Sequence, residues 1–404
     1  MKAIVFHGIG DISLDNVPEP VLRDPTDAIV RITTSAICGT DLHFVRGTVP
    51  NMQPGTILGH EGVGIVEEVG EGVRNFRKGE RVVVPSTIGC GACSYCRAGY
   101  FAQCDRANPN GPSAGTAFYG GPKDNGPFDG MQAEFVRVPF ANVGLVKLPG
   151  EIEEEDAIML SDIFPTAYFG AKLAEIVPGD TVAVFGCGPV GQLAITSAFL
   201  LGAARVFAID RIDSRLEMAR AQGAEAIDFD AEDPIEVLHE LTLGIGVDRA
   251  IDAVGVDACC AHSGPAAEKA KRERAKFEQD LDAIAPNSRR DGEQWVPGDA
   301  PSQVLSWAVD GLAKAGTLSV IGVYPTAAER FPIGKFMNRN LTMKSGNCNH
   351  RRYIPELIRL VRTGAVRPSQ ILTQCATFED ALDAYRAFDR REPGWTKVEL
   401  KRAA

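Results

Sequence analysis

The pattern of apolar and polar positions divides the chain into a β-rich part and a part in which strands alternate with helices. Up to about residue 160, short apolar or alternating runs are separated by turn residues, which is typical of a Greek-key or barrel-like domain. The predicted strands are Lys2–Phe6, Ala28–Ala36, Gly62–Val69, Arg81–Val84 and Ala133–Val138. Residues 107–130 are crowded with Gly, Pro, Asn and Ser and are predicted to be irregular.

From about residue 163 to 345 the pattern predicts a parallel doubly wound sheet, because strand-like and helical runs alternate along the chain. The predicted strands are Thr181–Phe185, Arg205–Asp210, Arg249–Ala253 and Thr317–Val323. The predicted helices are Val190–Leu201 and Asp213–Gln222. After Gly346 we expect two amphipathic helices, Tyr353–Thr363 and one after Thr377, and a strand, Thr396–Leu400, with which the tail returns to the first domain.

A long segment, residues 258–300, stands between two strands of the predicted sheet, where a short connection would be enough. Its part Pro265–Ile284 is rich in Ala, Lys, Glu and Arg and has apolar residues at helical spacing. These residues are Ala270, Phe277, Leu281 and Ile284. Two interpretations stay open: a solvated surface helix, which the charge pattern favours, and a flap over a bound cofactor.

Three glycines follow the predicted strand Thr181–Phe185 at the spacing G-x-G-x-x-G and lead into an apolar helix. A dinucleotide-binding fingerprint needs this strand-turn-helix context. The first glycine allows the tight turn, the second lets a pyrophosphate approach the backbone, and the third lets the helix pack closely on the strand. The residues predicted to hold the pyrophosphate, at the helix N-terminus, are Gly186, Gly188, Pro189, Val190 and Gly191.

The composition is that of a soluble globular protein, with 404 residues, 45% of them hydrophobic and 24% charged. The net charge of −11 argues against nucleic-acid binding, which depends on neutralising phosphates. We expect neither export nor a membrane partner, because the N-terminus lacks a signal-peptide pattern and no run of about 18 apolar residues occurs. Ten cysteines then favour a reducing cytoplasm, in which clustered cysteines are more often metal ligands than disulfides.

Four cysteines at the spacing C-x2-C-x2-C-x7-C form a lobe of residues 90–104. They are Cys90, Cys93, Cys96 and Cys104. Four thiolates this close can surround one tetrahedral zinc ion, and the implied site has no open position, so we predict structural zinc. Gly91 and Gly99 supply backbone freedom for such a knuckle. An iron–sulfur cluster is the alternative.

A second metal site is indicated by Cys38 in C-G-T-D-L-H and His60 in G-H-E-G. Catalytic zinc needs three protein ligands and one open position, and these two residues are candidate ligands. For either residue alone, core packing is the alternative interpretation. The sequence does not show that they meet in space.

Taken together, the chain resembles the zinc-dependent medium-chain dehydrogenase/reductase family, the alcohol dehydrogenase group, over nearly its whole length. The resemblance rests on C-G-T-D-x-H, G-H-E-G-x-G, the four-cysteine lobe and G-x-G-x-x-G, in that order. It implies an α/β protein with two zinc ions per chain and NAD. Residues 1–162 and 347–404 would form a GroES-like β-barrel catalytic domain, and 163–346 a Rossmann doubly wound parallel sheet with the insertion 258–300.

The resemblance also implies roles for residues near the second metal site. Cys38 and His60 resemble the first two ligands of the catalytic zinc, and Glu61 the acidic neighbour that can transiently ligate it. Asp41 resembles the carboxylate that orients the ligating imidazole. Thr40 resembles the hydroxyl that hydrogen-bonds the substrate oxygen.

His43 resembles the far end of the proton relay, reached through the cofactor ribose. Asp162 stands where many members have a cysteine ligand. An aspartate at this position is found in a subset of the family that includes glutathione-independent formaldehyde dehydrogenases. A carboxylate keeps the charge of the site and is a harder ligand than a thiolate, so the zinc should be more Lewis acidic. A helix N-cap is the alternative role for Asp162.

The expected dinucleotide is NAD, because Asp210 ends the second strand of the predicted sheet. A carboxylate there can hydrogen-bond both adenosine ribose hydroxyls and would repel a 2′-phosphate. The nearby Arg211 and Arg215 could offset this preference. By the resemblance, Thr166 packs against the nicotinamide and Lys397 reaches the pyrophosphate, although a solvated lysine fits the sequence equally well.

The expected reaction is hydride transfer between NAD and a small alcohol or aldehyde hydrate, as in the formaldehyde dehydrogenase-like subset. One alternative is an aldehyde dismutase that keeps its NAD bound, and another is an alcohol dehydrogenase for larger primary or secondary alcohols. A zinc-free quinone reductase-like protein and a non-enzymatic role also stay open. We expect a cytoplasmic homo-oligomer, either a dimer or a tetramer.

Overall fold

The computed structural model describes residues 1–108 and 115–402. The chain divides into two compact units. The first comprises Met1–Pro165, Glu293–Trp295 and Asn347–Ala404, and the second comprises Thr166–Gly292 and Val296–Gly346. The first boundary lies three residues after the predicted one at 162/163, and the return at 346/347 coincides with the prediction. Part of the predicted insertion, Glu293–Trp295, belongs to the first unit.

Each predicted strand overlaps a strand of the described residues, although the one expected at Thr317–Val323 is observed at Leu312–Val320. The observed strands are β1 (Lys2–Gly8), β2 (Asp11–Asn16), β3 (Ala28–Ile37), β4 (Thr56–Ile57), β5 (Gly62–Val69), β6 (Arg81–Val84), β7 (Phe135–Val138), β8 (Val146–Lys147), β9 (Thr181–Phe185), β10 (Arg205–Asp210), β11 (Glu225–Asp228), β12 (Val247–Asp252), β13 (Leu312–Val320), β14 (Thr342–Ser345), β15 (Gln374–Thr377) and β16 (Val398–Lys401). Strands β2, β4, β8, β11, β14 and β15 were not predicted.

The α-helices connect these strands. They are α1 (Gly39–Arg46), α2 (Ser94–Arg97), α3 (Ala141–Gly144), α4 (Glu154–Met159), α5 (Ile163–Leu173), α6 (Pro189–Leu200), α7 (Asp213–Ala221), α8 (Pro234–Leu241), α9 (Gly264–Ile284), α10 (Gln303–Gly311), α11 (Ile333–Asn338), α12 (His350–Arg362) and α13 (Ala381–Asp389). Helix α12 begins three residues before its predicted start, and this difference places His350 on its first turn. None of the helices in the described ranges has the length and apolar character that crossing a bilayer requires.

The first unit is built on a seven-stranded sheet in the order β15-β16-β3-β5-β6-β8, with β7 also paired to β3. A three-stranded sheet, β2-β1-β4, accompanies it. Inward-facing apolar residues of the strands form the core, among them Ile4, Val30, Ile32, Val66 and Val82. Strand β16 pairs antiparallel with β3, so the tail returns to the first unit as predicted.

The second unit contains a parallel six-stranded sheet in the order β11-β10-β9-β12-β13-β14. Strands β9 and β10 are buried along nearly their whole length, as parallel strands covered by helices on both faces are. The order reverses between β9 and β12, and in such sheets ligands bind beyond the carboxyl ends of the strands at this switch point. The predicted Rossmann sheet is confirmed.

Helix α9 occupies the predicted insertion. One face is buried and includes all four apolar residues that the periodicity selected, Ala270, Phe277, Leu281 and Ile284. Away from this face, exposed residues form ion pairs such as Glu268–Lys271. The helix therefore lies on the surface of the second unit with its charged face in solvent.

Most of the segment predicted to be irregular, residues 107–130, can be described. Residues 115–130 contain a short 3-10 turn, Lys123–Asn125, and no strand or α-helix. Residues 109–114 lie outside the described residues.

Candidate active site and metal centres

The four lobe cysteines surround a common point. One sulfur from each of them lies within 4.8 Å of the others. Backbone N–H groups donate to three of these sulfurs: Cys90 N to Cys104 at 3.2 Å, Cys93 N to Cys90 at 3.3 Å and Cys96 N to Cys93 at 3.5 Å. A hydrogen bond from Cys96 lowers the pKa of the Cys104 thiol to about 4. Because thiolates are the form that binds zinc, this donor set fits a closed structural zinc site.

The lobe owes its shape to left-handed glycine turns. Gly91 has a φ of 74° and Gly99 a φ of 90°. A Cβ atom added at Gly91 would lie 2.5 Å from Cγ2 of Val143. A larger residue there would be strained in both its backbone and its packing.

The second predicted metal site is also assembled. Cys38, His60, Glu61 and Asp162 each offer a ligand atom within 4.8 Å of the others, and all four residues are buried. Cys38 follows β3, His60 and Glu61 precede β5, and Asp162 precedes α5. Oδ2 of Asp162 lies 3.7 Å from Sγ of Cys38 and 3.3 Å from Nε2 of His60. A thiolate, an imidazole and a carboxylate whose ligand atoms lie this close together fit zinc.

Asp41, on the first turn of α1, supports two of these ligands. Its Oδ1 lies 3.3 Å from Nδ1 of His60. Its Oδ2 accepts hydrogen bonds from Cys38 N at 2.9 Å and from Nε2 of Gln132 at 3.1 Å. Asp41 therefore faces the far nitrogen of the imidazole and leaves Nε2 directed at the cluster, as a carboxylate behind a metal-ligating histidine does.

Glu61 forms a buried ion pair with Lys397. The Lys397 Nζ donates to Oε1 of Glu61 at 2.6 Å and to the Ile37 carbonyl at 3.0 Å, and both charged side chains are 0% exposed. Burial raises the pKa of Glu61 to about 7, against the opposing charge of Lys397. This placement does not agree with the predicted pyrophosphate contact of Lys397, because its ammonium group is enclosed with Glu61.

The second carboxylate oxygen of Glu61, Oε2, is buried and has no hydrogen-bond partner among the described residues. An unpaired buried carboxylate oxygen is costly, and a cation held close by would offset this cost. This observation is a further point of agreement between the cluster and a metal ion.

His350 was not identified from the sequence. Its Nε2 donates to Oδ1 of Asp162 at 2.6 Å, across a separation of 188 residues. Burial opposes ionisation of Asp162, but hydrogen bonds from His350 and His60 hold the pKa of its carboxyl well below the usual range. The sequence also did not identify Gln132, which supports Asp41, or Tyr385. The hydroxyl of Tyr385 donates to Gln132 at 2.7 Å. No motif or spacing marks any of the three.

The predicted proton-relay residues lie on one face of α1. The hydroxyl of Thr40 is 3.9 Å from Sγ of Cys38. His43 follows three residues later, so its side chain lies on the same face of the helix. Its Nδ1 is 2.7 Å from the hydroxyl of Thr48, and the residue is buried.

The glycine turn has the geometry that a dinucleotide requires. Gly186 has a φ of 86°, and a Cβ atom on Gly191 would collide with the Gly186 carbonyl oxygen. A Cβ on Gly188 would meet only Nη1 of Arg215, at 3.7 Å. Gly188 therefore leaves room beside the N-terminus of α6, which begins at Pro189 and Val190. This arrangement fits a pyrophosphate.

Asp210 ends β10 beside this turn. Its Oδ2 accepts from Cys187 N at 2.7 Å, and its Oδ1 accepts from Arg211 N at 2.7 Å. The Arg211 guanidinium pairs with Asp230 at 2.8 Å. Thr166, the predicted nicotinamide neighbour, lies on α5.

Comparison with known proteins agrees with this geometry. Residues 24–150 match the alcohol dehydrogenase GroES-like domain family, and residues 189–266 match the zinc-binding dehydrogenase family. The chain is 36% identical to an uncharacterized zinc-type alcohol dehydrogenase-like protein, AdhB, of Bacillus subtilis, over 99% of this chain and 100% of that protein. It is 34% identical to a glutathione-independent formaldehyde dehydrogenase of Pseudomonas aeruginosa, over 97% and 96% of the two chains.

Among solved structures, the alcohol dehydrogenase TADH from Thermus sp. ATN1 superimposes with a TM-score of 0.80 at 35% identity, and the match covers 100% of both chains. The sequence matches extend over both units, and the ligand sets for both zinc ions are in place. The chain therefore belongs to the zinc-dependent medium-chain dehydrogenase/reductase family and is a zinc-type alcohol dehydrogenase-like oxidoreductase.

Proposed function

We propose that the protein transfers hydride between NAD and a small alcohol or aldehyde hydrate, with formaldehyde as the leading candidate substrate. The observation that carries this proposal is the buried Cys38, His60 and Asp162 cluster, in which a carboxylate takes the third ligand position. The relationship to a protein named as a formaldehyde dehydrogenase supports the substrate class.

In this proposal Cys38, His60 and Asp162 hold zinc, and Glu61 stands beside it. Bound zinc supplies Lewis acidity, which lowers the pKa of an alcohol and polarises a carbonyl group. Thr40 orients the substrate through its Oγ1. This oxygen accepts the proton of the substrate hydroxyl while Thr40 passes its own proton on towards His43. His43, held through Nδ1 by Thr48, is the base at the end of the relay.

NAD is the proposed hydride acceptor, held by Gly186, Gly188, Pro189, Val190 and Gly191. The turn leaves space at Gly188, and the fixed carboxylate of Asp210 supports a preference for an unphosphorylated ribose. The ion pair of Arg211 with Asp230 directs that guanidinium to a protein partner. Arg215 near Gly188 and Thr166 on α5 are proposed as further cofactor contacts.

The test is an aldehyde and alcohol panel assayed for NADH and NADPH formation. We expect activity with NAD and formaldehyde, and a fall in kcat of about 10²–10³-fold for Thr40→Val, since general acid–base groups contribute on this order. Asp210→Ser should raise the relative use of NADP. If no substrate reduces either nucleotide in protein that holds two zinc ions, the proposal is wrong.

A second candidate function, aldehyde dismutation on retained NAD, is favoured by the placement of the insertion. Nη1 of Arg211 donates to the Cys260 carbonyl at 3.2 Å, and Nη2 contacts His262. The insertion therefore starts beside Asp210, at the proposed adenosine end of the cofactor. A segment placed there can slow the exchange of a bound dinucleotide.

To distinguish the two functions, the protein is purified without added nucleotide and the denatured supernatant is analysed. A dismutase should release about one NAD per chain and convert formaldehyde alone into equal amounts of formate and methanol. If the protein contains no nucleotide and depends on added NAD, the cofactor exchanges freely.

We also propose a cytoplasmic homo-oligomer. All ten cysteines lie in the described part of the chain and are in the reduced form, which suits a reducing compartment. Met343, on the edge strand β14, and Ile333 and Met337, on the preceding helix α11, are exposed, and exposed apolar residues of this kind favour a subunit contact. Light scattering would give the number of chains.

A further inference from the structure

We propose that His350 and Thr87 are positioning residues that hold Asp162 in the orientation in which one oxygen serves the catalytic zinc. The inference rests on the proposed metal site and adds two residues that no motif assigns. The three side chains form a continuous hydrogen-bonded chain from Thr87 through His350 to Asp162. All three residues are buried.

The chemistry of Asp162 fixes the direction of one hydrogen bond in this chain. An ionised carboxylate only accepts hydrogen bonds, so Nε2 of His350 carries the hydrogen in its 2.6 Å contact with Oδ1 of Asp162. The other ring nitrogen, Nδ1, lies 3.0 Å from the hydroxyl of Thr87. That hydroxyl also lies 3.2 Å from the Cys348 carbonyl. The ring is thus fixed at both nitrogens.

The two oxygens of Asp162 have separate tasks as a result. Oδ1 faces His350, whereas Oδ2 faces Cys38 at 3.7 Å and His60 at 3.3 Å. A thiolate presents one donor atom to a metal, but a carboxylate can rotate and bind through either oxygen or both. A donor fixed on Oδ1 removes this freedom, and hydrogen bonds of this kind tune ligand affinity.

The position of His350 is itself fixed by its neighbour. Asn349 accepts a hydrogen bond from Ala102 N, in the cysteine lobe, through its Oδ1 at 2.9 Å. The first turn of α12 therefore lies between the lobe and Asp162. The structural zinc site thereby supports the residue that holds a catalytic ligand.

The experiment compares wild-type protein with His350→Leu, His350→Gln and Thr87→Val. His7→Leu is the control, because His7 also contacts an aspartate, Asp15 at 3.1 Å, but lies on the surface. Three quantities are measured on full-length protein: zinc affinity by chelator competition, the visible spectrum after cobalt substitution, and kcat and KM.

We expect His350→Leu to weaken zinc at the catalytic site by about 10–100-fold, the range typical for partners of metal ligands, while the lobe keeps its zinc. The cobalt bands should shift, because the carboxylate is free to change its binding mode. His350→Gln should restore much of the affinity through its side-chain N–H. The zinc affinity of Thr87→Val should lie between those of wild type and His350→Leu, and the affinity of His7→Leu should match that of wild type.

Wild-type zinc affinity and an unchanged cobalt spectrum in His350→Leu would overturn the inference. If the leucine variant does not fold, Thr87→Val decides in the same way, and unchanged values there overturn it. Failure of the proposed function is distinguishable, since a protein that holds two zinc ions but reduces neither nucleotide would still show the changes in zinc affinity and cobalt spectrum in His350→Leu.

Discussion

The two metal sites of the first unit are built in opposite ways. The lobe takes all four ligands from residues 90–104, on a chain turned by left-handed glycines. The catalytic cluster takes its ligands from the ends of separate elements, and Cys38 and Asp162 are 124 residues apart. A local site needs its metal to hold a short loop together, whereas a site of distant ligands is held by the fold and can leave a position for chemistry.

The largest effect is expected for a substitution that removes a ligand of the lobe. Cys96→Ser should release the lobe zinc, because it removes one of the four thiolate ligands. The loss of this zinc should destabilise the protein, because structural zinc in small domains contributes on the order of 10 kcal/mol to folding. We expect zinc content to fall from two ions to one, and Tm to fall by at least about 5 °C. Metal analysis with calorimetry measures both.

This variant also tests the link through Asn349. Activity per remaining zinc should fall several-fold, because the lobe no longer fixes the start of α12. If kcat per catalytic zinc is unchanged, the two sites are independent and the link is wrong.

The next largest effect is expected for a substitution that removes a ligand of the catalytic cluster. Asp162→Ala should reduce kcat/KM by about 10⁴-fold, or roughly 5 kcal/mol of transition-state stabilisation, because a ligand and its charge are lost. Zinc content should again fall to one ion per chain, but Tm should stay close to that of wild type. A large fall in Tm would show that this cluster, like the lobe, is needed for folding.

A third effect concerns the charge balance of the catalytic cluster. Lys397→Met should destabilise the first unit by about 3–5 kcal/mol, because it leaves the buried Glu61 carboxylate without its partner. The double variant Lys397→Met with Glu61→Gln should recover much of this loss. Urea unfolding of the single and double variants measures the coupling, and additive losses would contradict it.

The smallest effect compares the backbone of the lobe with the backbone beside the catalytic ligands. Gly91→Ala should cost about 1–2 kcal/mol, because its φ is positive and Val143 blocks the Cβ. Gly39→Ala is the matched control beside the catalytic ligands, since nothing lies within 4 Å of its added Cβ. It should be neutral in urea unfolding, and equal losses would remove the contrast.

The same contrast explains how much the sequence could predict. The lobe could be read from spacing, because its ligands are neighbours in the chain. The glycine turn and most strands followed from local pattern, as for β9 and β10, whose predicted bounds match those observed. The third ligand, Asp162, came only from resemblance to a family.

His350 and the environment of Lys397 could not be found in this way. His350 meets Asp162 across 188 residues, and a single histidine at the start of a helix carries no periodic signal. Lys397 was placed by resemblance, but its burial beside Glu61 depends on the pairing of β16 with β3. Contacts between distant segments are decided by packing, which a single sequence does not show.

The most direct test of this account is anomalous diffraction at the zinc edge from crystals of active protein. We predict two peaks per chain, one among the four lobe cysteines and one bound by Cys38, His60 and Asp162, with Oδ1 of Asp162 facing His350. A fully active protein with a peak in the lobe alone would contradict the account.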